Sequence, residues 1–503
     1  MYTIVTFSKG HSIEKGEVGL EGQMGWLENM ERIFGISGTR TAVGRWIHRL
    51  IVLACVIILG VMVGIVGSIG SLHIRLLECT LLILSMMLAL HIYFKRPHAL
   101  VPYSLLMWVM SPEMRRLLDW SFQSYTNTSM ISMIPYCVSL TMLIPIIKNI
   151  KQLDRRIGLL LKIMGVALIY GFSIGFLKYG LSSVFDLLNY VVPFMVLAYV
   201  NVSRFAQDVR DKWMKSLGYL AVIVAVYGIY QYLALPPWDK FWMISSEMKS
   251  IGLPEPQKFR VFSLLNSPGP TGVFLALALA IMTVQKKWRA FGVVGVMLVA
   301  FALLLTLVRV GWIAYAVMVF AYFIRSQLKN KMQLLMLGVV IVLAYQFVLP
   351  VLPGSSQVTS RIDTFGSLEE DHSFNERLLF STHIFSAVLA NPVGMGLGSS
   401  GLGAKLTQNS DTLVAFDNGY LNVFYTFGLP LGVAVIILLG YLFVYLYKSS
   451  KAEKVYSPIS FGAISAVLFL LMASNILSGF SGFILLLIIS LAYIPTSSSL
   501  EGR

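Results

Sequence analysis

The chain has 503 residues, 57% of them hydrophobic and 13% charged, with a formal net charge of +15 and a mean hydropathy of +0.76. That balance excludes a soluble enzyme and places the chain among polytopic membrane proteins. The positive excess would suit nucleic acid, but its distribution excludes that partner. Basic clusters fall in alternate connections: Lys95-Arg96, Lys148 to Arg156, Arg204 to Lys215, Lys286 to Arg289, Arg325 to Lys331 and Lys448 to Lys454. Lysine and arginine gather in short cytoplasmic loops. The charge therefore reports topology, with some attraction to anionic lipid of the bilayer.

In chain order, 1–45 reads as a cytoplasmic tail, and its polar, glycine-rich character predicts no cleavable signal peptide. Apolar runs predict spans near 47–69, 74–94, 99–110, 128–147, 157–177, 184–202, 216–235, 266–284, 290–308, 311–325 and 332–349. A large extracytoplasmic loop, 350–416, follows. The rest, 417–503, holds spans near 417–447, 458–474 and 480–494 and a short C-terminal tail. The expectation is an all-α membrane protein of about 14 transmembrane helices with both termini cytoplasmic, most near the length that hydrocarbon thickness requires. The span from 417 is longer, so it should tilt or project. Cys55, Cys79 and Cys137 lie in or beside apolar segments and read as unpaired thiols without metal spacing.

This topology puts 111–127, 236–265 and 350–416 outside, where basic residues are scarce and invite a reason. Arg309 is the sharpest case, because it stands between two apolar helices with almost no polar linker. Charge there is costly and faces a partner or an aqueous cavity, unless it snorkels from a helix end. Arginine favours a two-point grip on phosphate or carboxylate. Arg260 lies just before a helix opening Asn266-Ser-Pro-Gly-Pro-Thr, whose N-terminus suits an anion. Arg361 and Arg377 sit in the large loop, where Arg377 has Glu376 as an alternative local partner. Arg115 and Arg116, with Asp119, also fit an amphipathic interfacial helix.

The glycines from Gly394 to Gly403 lack the strand and the Lys-Ser/Thr of a nucleotide loop. Tight turns are expected there, with a backbone anion nest as the minor alternative. Asp417, at the head of Asp417-Asn418-Gly419-Tyr420, is either a helix cap or a carboxylate facing a low-dielectric cleft, where it would serve as a base. His372 and His383 are alternative bases.

Taken together, Arg309-Val-Gly-Trp, Glu376-Arg377, Asn391-Pro-Val-Gly-Met-Gly-Leu-Gly398, Asp417-Asn-Gly-Tyr-Leu and Gly428-Leu-Pro-Leu-Gly432 follow one another in an order that resembles the O-antigen polymerase and O-antigen ligase family. The likeness is densest over 260–435. It implies a fold related to polyprenyl-dependent (C-type) glycosyltransferases. It also implies transfer of a glycan from a polyprenyl-pyrophosphate carrier at the outer face of the bacterial inner or plasma membrane, with no metal and no cofactor. A polysaccharide chain-length co-polymerase is a candidate partner. Ligases of this kind carry histidine where this chain has Asp417, which favours a polymerase of repeat units over a ligase-like transferase. A lipid-linked oligosaccharide flippase is the competing class, but it would concentrate charge in mid-helix cavities and show repeated halves. The candidate catalytic residues are Asp417 as base with Arg309 and Arg377 stabilising the leaving pyrophosphate. Arg116, Arg260, Arg361, His372, Asn418 and Tyr420 are candidate substrate contacts.

Overall fold

A computed structural model describes residues 70–125, 128–363, 372–404, 418–450 and 455–493. Contacts divide the chain at Leu77; of the first unit only the opening of the first helix is described, and the account below concerns Glu78–Arg503. The helices are α1 (Gly70–Lys95), α2 (Leu100–Ser121), α3 (Met130–Lys148), α4 (Arg155–Tyr179), α5 (Leu181–Ser203), α6 (Gln207–Ala234), α7 (Pro237–Ser245) and α8 (Pro268–Val284). They continue as α9 (Gly292–Leu305), α10 (Arg309–Arg325), α11 (Leu328–Phe347), α12 (Ser355–Asp363), α13 (His372–Ala390), α14 (Gly419–Ser449), α15 (Tyr456–Leu470) and α16 (Gly479–Ser490). No strand occurs among the described residues, where the sole extended pairing is an isolated bridge, Gly252 to Phe259.

Among the described residues, α1, α3, α4, α5, α6, α11 and α14 are long and apolar enough to cross a membrane, and α8, α9, α15, α16 and the Leu378–Ala390 part of α13 are shorter apolar helices. The chain is a multi-pass, all-α membrane protein, as its sequence predicts. A helix stands at each predicted span from 74 onward, but the total of fourteen is not established: 47–69 lies outside the described residues and several helices are short.

The basic connections gather at one end. Arg325 bonds Ser450 Oγ (2.7 Å) and the Tyr447 carbonyl (2.8 Å). Asp211 accepts from Lys287 (2.9 Å), Trp288 Nε1 (2.9 Å) and Tyr456 (2.7 Å). Arg210 bonds the Leu491 carbonyl at 2.9 Å, and Trp213 Nε1 bonds that of His98 at 2.7 Å. The opposite end carries 260–267, 306–308, 391–400 and 471–478. The helices joined there are buried and short; α8, α15 and α16 have 17, 15 and 12 residues. At 1.5 Å per residue they fall below the ~30 Å of hydrocarbon. Their connecting loops therefore lie recessed, where irregular backbone survives only if protein satisfies it.

Two departures from expectation follow from that rule. The span near 99–110 does not stop at Pro112: α2 runs on to Ser121 and buries Glu113, Arg116 and Asp119. The long span near 417–447 is broken at Gly428 (φ 77°, ψ 171°), two residues before Pro430. That left-handed backbone suits glycine, and the break divides the long span into two segments.

Candidate active site

A three-residue turn, Thr306–Val308, joins α9 to α10, so Arg309 is the first residue of its helix and is half-buried. Its neighbours in the Arg-Val-Gly-Trp motif have structural tasks. A β-carbon on Gly311 would lie 3.0 Å from the Gly272 backbone, so this glycine lets α10 cross α8 near both N-termini. Trp312 Nε1 donates to the Leu303 carbonyl at 3.1 Å and fixes the turn. Arg260 lays its guanidinium across the same turn, 3.3 Å from the Thr306 carbonyl and 3.5 Å from that of Leu307, while Val261 N bonds Leu305 O at 3.1 Å. These carbonyls end α9 and have no helical partner, so arginine is suited to them. The structure thus brings Arg260 to the foot of the helix that presents Arg309. Arg361 is half-buried on α12, whose start at Gly354 packs on Tyr232 and Leu305 beside this turn. Two helix N-termini, each roughly half a positive charge, therefore meet beside the turn that carries Arg309 and Arg260.

Arg116 is placed elsewhere. It is 1% exposed, and its guanidinium bonds Glu113, the Leu265 carbonyl (2.8 Å) and the Ser263 carbonyl (2.5 Å) and forms an ion pair with Asp239 (3.0 Å). Instead of being presented to substrate, it holds the 263–265 backbone that follows Arg260. Gln231 supports the same turn, accepting from Ser263 N at 2.8 Å and donating to Asp239 at 2.8 Å. Tyr227 lies 2.7 Å from Glu113 and 2.8 Å from Asp239. One hydroxyl proton cannot serve both carboxylates. Burial pushes the Asp239 carboxyl up from its ordinary range, Arg116 pulls it down, and Glu113 adds to the rise. Removing the guanidinium would strand Glu113 as a buried charge. Arg116→Leu is therefore expected to cost about 3–5 kcal/mol, read as a lower unfolding midpoint in detergent. Arg116→Leu combined with Glu113→Gln should recover part of it, and an unchanged midpoint in the single variant would contradict this pairing.

The glycine motif after α13 fills the break in α14. Gly428 interrupts the helix, which frees the carbonyls of Tyr425 and Thr426; these accept from Met395 N (2.8 Å) and Gly396 N (3.0 Å), while Leu429 N donates to Pro392 O (2.8 Å). Leu397 N continues to Gly171 O at 2.8 Å, and Gly398 N to the Asp186 carboxylate at 2.9 Å. With Gly394 N on Asn391 O at 3.0 Å, each N–H from 394 to 398 is engaged. The tight turns expected there are present, and over 394–398 the anion-nest alternative is corrected: protein carbonyls and a protein carboxylate take these donors. α13 packs beside this seam through Ile384 and Val388 against Tyr425.

Asn418 caps α14, accepting from Leu421 N at 3.1 Å. Half-buried Tyr420 donates to the Leu468 carbonyl at 2.6 Å. One turn on, Asn422 bonds Ser400 (2.9 Å) and Asn475 (2.8 Å), and Asn475 also reaches Tyr190. The sequence reading missed this set and the Glu113–Asp239 set; the available signal was polar side chains inside apolar helices. Asp417 lies outside the described residues, as do the side chains of His372, Glu376 and Arg377.

Residues 294–436, which include Arg309, the glycine motif and the start of α14, match the model of the O-antigen ligase family. That match covers less than a third of the chain and supports its likeness to the O-antigen ligase family. No curated protein matches the chain. The resemblance read from the order of the motifs is thus supported independently, and with it, at a coarse level, glycan transfer of the ligase or polymerase kind.

Proposed function

We propose that the chain polymerises polyprenyl-pyrophosphate-linked oligosaccharide repeat units into a cell-surface polysaccharide (O-antigen, capsule or exopolysaccharide). The reaction would occur at the outer face of the bacterial inner or plasma membrane, with the basic end in the cytoplasm. The observation that carries this reading is the meeting of the α8 and α10 N-termini with Arg309 and Arg260, opposite the basic loops. A recess of that charge suits a pyrophosphate. Pyrophosphate is a good leaving group and needs charge stabilisation more than a proton, which preorganised donors supply.

In the proposed step the acceptor sugar hydroxyl attacks the anomeric carbon from the side opposite the pyrophosphate. The new C–O bond forms as the old one breaks, polyprenyl pyrophosphate leaves with the electron pair, and the configuration inverts. Asp417 takes the hydroxyl proton. Arg309 and Arg377 hold the leaving group, with Arg260 and Arg361 near it and Asn418, Tyr420 and His372 toward the acceptor. Aspartate at 417, where ligases carry histidine, supports a polymerase. The chain-length co-polymerase remains a candidate partner. A strain deleted for this chain should lose long polymer and accumulate single lipid-linked repeat units accessible from outside. Accumulation confined to the inner leaflet would instead support a flippase.

A further inference from the structure

At the basic end, an open groove of about 1240 Å³ runs between the end of α3, the loop before α4, the first two turns of α4 and Tyr441 of α14. Three cations line it: Arg155, Arg156 and Lys162. The acidic residue of the lining, Asp154, is spent on the helix, since its carboxylate accepts from Arg156 N (2.8 Å) and Ile157 N (3.4 Å). Arg156 is held over the Tyr445 ring at 4.3 Å. Arg155 and Lys162 are exposed and make no hydrogen bond or ion pair with a described residue.

The spacing along α4 says more than the charge. Arg155, Leu159, Lys162, Val166 and Ile169 recur at intervals of four and three, so they form one stripe. Below the cations this stripe is apolar and open, with Leu159, Val166 and Ile169 exposed by 49%, 57% and 69%. On α14, Tyr441, Ile437 and Val433 form a second exposed stripe running the same way. Lys162 lies about 10 Å farther into the membrane than Arg155, within reach of a headgroup by snorkelling upward. Cations above and paired apolar stripes below match one molecule: a phosphate with hydrocarbon attached.

We infer that this groove binds an anionic phospholipid of the leaflet at the basic end, its phosphate on Arg155, Arg156 and Lys162 and an acyl chain along Leu159, Val166 and Ile169. A free anion would leave the stripes unused. A zwitterionic headgroup would not match three cations whose acidic neighbour is already engaged. The site is independent of the transfer reaction proposed above.

The test uses purified full-length protein in a neutral detergent, titrated with dioleoylphosphatidylglycerol or dioleoylphosphatidylcholine, with bound lipid counted by native mass spectrometry. Inorganic phosphate serves as competitor. The tightest-bound phosphatidylglycerol should bind roughly tenfold more tightly than phosphatidylcholine, and Arg155→Gln with Lys162→Gln should weaken it roughly 10- to 30-fold. Both side chains are exposed, so the unfolding midpoint of this variant should match the parent. Lys212→Gln with Lys215→Gln, at the same end but outside the groove, should bind as the parent does. Equal loss in that control pair would overturn the site in favour of diffuse surface attraction. Equal binding of phosphatidylcholine would reduce it to an apolar groove. Displacement by millimolar phosphate would make it a free-anion site.

Discussion

Asp417→Asn is expected to give a folded, inserted protein that binds donor and extends it roughly 10²–10⁴-fold more slowly. The substitution removes the ability to accept the acceptor hydroxyl's proton while keeping side-chain size. Its structural side effects are small, because the cap of α14 is supplied by the next residue: Asn418 Oδ1 accepts from Leu421 N at 3.1 Å. A role for position 417 confined to capping therefore predicts near-normal polymer. Rates of glycan extension and donor binding, measured on the same preparation, separate the two. Full activity would remove Asp417 from the reaction and send the search to His372, His383, Glu376 or another carboxylate of the large loop.

Arg309→Lys should lose roughly 10²–10³-fold in transfer rate at an unchanged unfolding midpoint. Lysine keeps the positive charge and has a helix propensity close to that of arginine, so the start of α10 should persist. What it lacks is the planar fork that grips two phosphate oxygens at once. The crossing at Gly272 and Gly311 and the Trp312 bond to Leu303 O are untouched, so the recess keeps its shape. A lysine variant that transfers glycan normally would reduce Arg309 to a snorkelling side chain at a helix end.

The spans were legible because hydrocarbon thickness imposes a length on apolar runs, and the basic end was legible because lysine and arginine mark one side. What stayed hidden depends on partners far away in the chain. Arg116 and its neighbour Glu113 fall in a segment after Pro112 that read as an interfacial helix, because buried charge without a partner is costly. Their partners, Asp239, Tyr227 and the Ser263 carbonyl, lie more than a hundred residues on. Arg116 thus moved from expected substrate contact to the support of the loop behind Arg260. The glycine motif was legible as tight turns, but not as the filling of a broken helix. The break itself had a signal, since Gly428 and Pro430 stand inside one apolar run. The convergence of Arg260 on the Arg309 turn had none beyond their shared side of the membrane. Asp417 and the side chains of His372 and Arg377 lie outside the described residues, so their roles rest on the motifs.

The most direct measurement reconstitutes the purified chain in lipid with polyprenyl-pyrophosphate-linked repeat units and no nucleotide. It follows glycan length together with released polyprenyl pyrophosphate. The expected result is a lengthening glycan, one polyprenyl pyrophosphate released per new linkage, and no loss of rate when divalent metal is chelated. A requirement for a nucleotide sugar as immediate donor, or release of carrier without lengthening, would contradict the proposed transfer.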